Sequence, residues 1–165
     1  MALTGAQLAT LKTNIAASEF SGLPNNSDTA TTIAAAYNLQ ASPDWTVWRT
    51  HVSRDEVMLN GFDWTSVDNL SVGKARIWDW LFNSGFINPS KTNIRAGIEA
   101  TWVGTQPDLD VRAAVYVHCK KLASRAQKLF SSGTGSNAVP ATMEANIAEG
   151  FMLEASDVEI ARALP

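Results

Sequence analysis

Residues 107–131 read PDLDVRAAVYVHCKKLASRAQKLFS, and the way this run folds decides the class of the whole chain. Its spacing predicts one long helix. Pro107 suits a first turn, where the missing N–H has no partner to lose. Asp108 and Asp110 lie toward the N-terminal end, and Lys120, Lys121, Arg125 and Lys128 toward the C-terminal end. Both placements complement the helix dipole. Val115, Cys119, Leu122, Ala126 and Leu129 recur at three-four spacing and predict a buried stripe. After Phe130 the character changes. Residues 131–137, SSGTGSN, have the composition of a flexible linker. Residues 138–155 show no clean period, and Ser156 with Glu159 makes a capping box ahead of Val158, Ala161 and Leu164. A helix that short is not stable alone and must dock on something, either its own body or a neighbour.

Upstream, helix signals follow one another. Thr4 and Gln7 form a capping box ahead of Leu8, Leu11 and Ile15. Ser27 or Asp28 can cap a second helix through an alanine-rich run, before Pro43. Residues 45–49, WTVWR, alternate as a strand would, but with no evident partner they read as an extended connector. Ser53 and Glu56 open a short helix that Asn60-Gly61 stops. Ser71 caps the next, which Asn83-Ser84-Gly85 ends. Ile77, Trp78, Leu81 and Phe82 form its apolar face, and Trp80 points elsewhere. Asn88-Pro89-Ser90 starts a helix with Ile94, Ile98 and Trp102, which Gly104 closes. The expectation is an all-α fold: a small bundle of about five helices with an extended C-terminal arm ending in a short helix. The expected division is a body over 1–130 and a linker and docking arm over 131–165.

Composition narrows the function classes. The chain has 165 residues, 45% hydrophobic and only 18% charged, with six Trp. Low charge leaves surface for a partner, and Trp is common in both cores and interfaces. The net charge of −3 is uneven. Residues 131–165 hold Arg162 against Glu144, Glu149, Glu154, Asp157 and Glu159, a net of −4, so residues 1–130 carry +1. A near-neutral body argues against broad phosphate contact with DNA. Cys119 is the single cysteine, so no intrachain disulfide can form. No signal peptide is apparent, and no apolar run approaches the roughly 20 residues that cross a bilayer.

Chemistry is scarce. His51, His118 and Cys119 give no zinc-type spacing, and adjacent helical residues point about 100° apart. There is no G-x-S-x-G elbow, P-loop or dinucleotide fingerprint. Carboxylate pairs such as Asp55/Glu56 sit at helix starts, where capping explains them. No catalytic residue, cofactor or metal is expected. On one long helix, His118, Lys121, Arg125 and Lys128 would share an arc of about 80°. That arc reads either as a solvated basic face or as a docking surface for an acidic partner. Trp80 reads either as a second buried face or as an interface anchor.

Several runs resemble a family of small tailed-bacteriophage virion proteins encoded among capsid and neck genes. They are Ala2-Leu3-Thr4 with Gln7-Leu8 and Leu11-Lys12; Leu23-Pro24-Asn25-Asn26-Ser27-Asp28; Asn88-Pro89-Ser90 with Asn93, Arg95 and Gly97; Arg125-Ala126 with Leu129-Phe130; Gly133-Thr134-Gly135-Ser136; and Pro140-Ala141-Thr142. The resemblance implies a structural protein, a head–tail connector in a homo-oligomeric ring of about a dozen copies. The ring would lie in the virion neck after assembly in the host cytoplasm. Its partners would be the portal protein, a tail or stopper protein, and DNA only as it passes through the lumen, with no membrane. The arm would dock on the portal through Phe151, Met152, Leu153, Val158 and Leu164. Alternatives are a capsid decoration protein and a DNA-binding packaging or regulatory protein.

Overall fold

A computed structural model describes residues 2–59 and 62–165, and the chain divides into two compact units. One joins the N-terminal residues through Val47 with Leu122–Pro165, and the other is Trp48–Lys121. The all-α expectation is corrected. Among the described residues, nine helices accompany six short strands in three two-stranded sheets. The strands are two or three residues long, too short for alternation to reveal them. The extended arm is corrected as well, because residues 138–165 form part of the first unit's core.

The first unit is built on α1 (Gly5–Ala16) and α2 (Ser27–Asn38). Thr4 caps α1 in the expected box with Gln7. Asn26, rather than Ser27 or Asp28, caps α2, accepting from the Thr29 N–H at 2.9 Å. The C-terminal segment closes this pair with α9 (Ala155–Ala163). Helix α9 begins two residues before the expected box, with Glu154 as its cap, and the Glu154 N–H donates to the Asp157 carboxylate at 3.2 Å. Leu11, Ile15, Ile33 and Tyr37 bury against Ile147, Leu153, Val158 and Ala161. Polar clamps fix the register. The buried Gln7 amide donates to Glu144 (2.6 Å) and Asn146 (2.8 Å), and Asn38 exchanges two hydrogen bonds with the Leu153 backbone. Such a pairing satisfies buried groups that would otherwise each cost about 1–3 kcal/mol.

The predicted 107–131 helix is two helices. Helix α7 (Gln106–His118) ends at Cys119, β4 (Lys120–Leu122) is extended, and α8 (Arg125–Leu129) starts afresh. Ser124 and Gln127 form a full capping box at that restart. The connector at 45–49 contains β1 (Thr46–Trp48), which is hydrogen-bonded to β4. Within the first unit the Ala123 N–H donates to the Trp45 carbonyl at 2.8 Å; within the second the Arg49 N–H donates to the Cys119 carbonyl at 2.9 Å.

The linker at 131–137 is ordered. Ser131–Ser132 forms β5, which pairs antiparallel with β6 (Thr142–Met143). Gly135 has φ +64°, a left-handed value natural to glycine. Its carbonyl accepts from the Thr46 N–H at 2.7 Å. A Cβ there would sit 2.1 Å from the Trp45 ring, so the bare backbone is what lets the indole lie against it.

The second unit has an aromatic core. The Trp78 and Trp102 rings meet edge-to-face at 5.4 Å, and Phe62 and Phe82 pack against them at 5.0–6.1 Å. The helices here are α3 (Arg54–Val57), α4 (Trp64–Asp68), α5 (Val72–Leu81), α6 (Thr92–Thr101) and α7. The Ser53–Glu56 box opens α3 and Ser71 caps α5, as expected; α6 starts just after the expected Asn88-Pro89-Ser90, with Lys91 at its cap position. The expected stop at Asn60-Gly61 lies outside the described residues. Strand β2 (Val52–Ser53) pairs with β3 (Phe86–Ile87). Gly97 lets α6 approach α5, since a Cβ there would lie 3.0 Å from the Leu81 side chain. Cys119 is a buried core residue whose thiol burial pushes up to about 12, so it is protonated at neutral pH.

Candidate functional site

The four cations expected on one arc do not share a helix. His118 is the last residue of α7 and Lys121 lies in β4, both in the second unit. Arg125 and Lys128 belong to α8 in the first. The extended residues between the helices break the 100° progression on which the arc depends. Arg125 is already engaged. Its guanidinium donates to Glu19 at 2.7 and 3.4 Å and lies 5.0 Å over the Tyr37 ring. The Glu19 carboxyl is held below its usual range chiefly by that guanidinium. Lys128 is different: its ammonium lies 5.0 Å over the Trp45 ring, and among the described residues no carboxylate pairs with it.

The C-terminal candidates are mostly interior. Leu153 and Val158 are buried, Phe151 is half-buried edge-to-face on Phe130 at 6.1 Å, and Leu164 is half-buried. Met152 alone of the five faces solvent, at 66% exposure. Apolar residues at 147–158 do dock, as their composition requires, but the receiving surface is α1, α2 and α8 of the same unit.

Trp80 stands out. It is 80% exposed, while Trp78, two residues earlier, is buried. Successive helical residues turn about 100°, so Val72, Arg76 and Trp80 form one outward ridge with Ile77 beside it. Val72 is 69% exposed and Ile77 36%. A short helix thus presents two large apolar side chains and one partly exposed one to water on a single face. An exposed indole buries a large apolar area with a polar edge when a partner covers it.

A second feature escapes any local reading of the sequence. In the first unit a cavity of about 460 Å³ is lined by Asn14, Tyr37, Ser42, Trp45, Lys128 and Leu129, together with Arg125 and Ser131. The Tyr37 hydroxyl donates to Asn14 Oδ1 at 2.5 Å. The Trp45 indole N–H donates to Ser131 Oγ at 3.0 Å, and that hydroxyl donates to the Lys128 carbonyl at 2.9 Å. These residues come from four separate stretches, and no spacing rule connects them.

Among the described residues no group of three His, Cys, Asp or Glu could hold a metal, and no helix is long and apolar enough to cross a membrane. Comparison with family models, with curated proteins and with solved structures returned no match.

Proposed function

We propose that the protein is a structural component of a tailed-phage virion that works by docking on neighbouring proteins rather than by catalysis. The virion setting rests on the sequence resemblance. The observation that carries the docking role is the outward face of α5, headed by Trp80 at 80% exposure. A solvent-exposed Trp flanked by an Arg and exposed aliphatic side chains has the composition favoured at the centre of an interface. A connector ring between portal and tail meets this description. Each copy in a ring presents one patch to the copy before it and a different patch to the copy after it, and α5 supplies one of the two. With residues 138–165 committed to the first unit, contact with the portal or with a tail or stopper protein falls to surfaces of the folded units.

Trp80→Asp tests the docking face. The side chain makes little contact within the chain, so the melting temperature should move by no more than a surface substitution allows, about 0.5 kcal/mol in stability. Self-association measured by sedimentation velocity should weaken at least tenfold, because a buried Trp anchor is worth about 2 kcal/mol or more. Unchanged association of the variant would remove α5 from the interface. Counting copies per particle then separates a neck ring of about a dozen from a shell decoration present in hundreds.

A further inference from the structure

We infer that the cavity between α2, α8 and residues 41–45 is a binding site for a monocarboxylate carried on an apolar body. This goes beyond the docking role of α5 and stands on different residues. The volume of about 460 Å³ falls among cavities that hold small ligands or a single large side chain.

The polar inventory of the cavity is one-sided. Tyr37 spends its O–H on Asn14 Oδ1, and Trp45 spends its N–H on Ser131. What remains without a hydrogen-bond or carboxylate partner among the described residues is the Lys128 ammonium, which touches only the face of the Trp45 ring, and the Asn14 amide N–H₂ and Ser42 hydroxyl at the open side, all lining the same cavity. Two of the three can only donate, and the third can. A ligand that answers them must accept hydrogen bonds. The charge balance sets its valence. Arg125 is neutralised by Glu19 at 2.7 Å, so Lys128 leaves the cavity a net of +1, matching a carboxylate better than a phosphate dianion. The apolar part of the wall includes the Tyr37 ring, the Trp45 ring, Ala41 and Leu129, which suit a ring or branched aliphatic body. The wall is also held in shape. Trp45 is fixed by its bond to Ser131 and by the Gly135 backbone against its ring, so the ligand meets a preformed surface.

Two sources share this chemistry: a free small acid, and the carboxylate at the C-terminus of another chain. The probes are phenylacetate, N-acetylphenylalanine and N-acetylphenylalanine amide, titrated into the full chain while the Trp45 indole N–H is followed by ¹⁵N NMR. The expected result is saturable movement of that signal by one or both acids, with the amide at least about tenfold weaker. Comparable binding of the two acids assigns the site to free acids. Tighter binding of N-acetylphenylalanine by about tenfold or more assigns it to a chain end. Lys128→Met keeps the apolar stem and should erase the preference for acid over amide, and Lys128→Arg should keep it. Equal binding of acid and amide, an acid preference that survives Lys128→Met, or no movement of the indole signal by either acid would each overturn the assignment.

Discussion

A chain ended at Asn137 should lose the fold of its first unit. Residues 138–165 contribute Met143, Ile147, Leu153 and Val158 to the core, each no more than 4% exposed. Burial of one such side chain is worth about 1.5–3 kcal/mol, so the four together contribute about 6–12 kcal/mol. That equals most of the stability of an ordinary domain, about 5–15 kcal/mol. The truncation also opens Leu11, Ile15, Ile33 and Ala34 to water and leaves the buried Gln7 amide without Glu144 and Asn146. The expected outcome is loss of the first unit's cooperative thermal transition, seen by far-ultraviolet circular dichroism and by loss of the dispersed NMR signals of Ile15, Ile33 and Tyr37. An intact transition after truncation would mean that these residues are an appendage.

Gly135→Val should be the most damaging single substitution, lowering stability by at least about 3 kcal/mol. Two effects act together. The backbone at φ +64° is strained for any residue with a Cβ, and the Cβ would meet three Trp45 ring atoms at 2.1–2.5 Å. Gly85 separates them. It has φ +79° but no neighbour within 4 Å of a Cβ, so Gly85→Ala should show the backbone effect alone, about 1–2 kcal/mol. Urea unfolding of the two variants checks the difference. If Gly135→Val costs no more than Gly85→Ala, Trp45 is not packed on that backbone.

Both predictions concern the part of the chain where sequence and structure part company. Helix starts are local, and several are legible: Thr4 with Gln7, Ser53 with Glu56, and Ser71 all cap as their spacing implies. The Ser124–Gln127 box is equally local, yet the apolar stripe running through it points to a continuous helix. The stripe continues because two unrelated ones happen to be in phase. Val111, Val115 and Cys119 face the second unit's core, and Ala126 and Phe130 face the first's. Leu122, which joins them on paper, is exposed in the strand between.

Composition misleads in the same way at 131–137. Gly and Ser there are the residues of a flexible tether, but also those of a tight path with left-handed φ and backbone packed on an indole. Only the position of Trp45, some ninety residues earlier, distinguishes the two, and that is tertiary information. The strand partners are equally distant: β1 pairs with β4, and a three-residue run carries no trace of its mate. On the site side, Trp80 was visible as an off-stripe aromatic and is exposed. The cavity was invisible, because the residues that line it have no common period. The basic arc existed only on the continuous helix and is gone with it.

The place of residues 138–165 decides both the fold and which surfaces remain for partners. Amide hydrogen exchange on the intact chain addresses it most directly. If α9 belongs to the first unit's core, the amides of Val158 and Ala161 exchange only on opening of the whole unit, with the same protection as Ile33 and Ala34 in α2. If instead α9 exchanges at the rate of a fraying terminus while α2 stays protected, residues 138–165 are a tethered arm and the core described for the first unit is wrong.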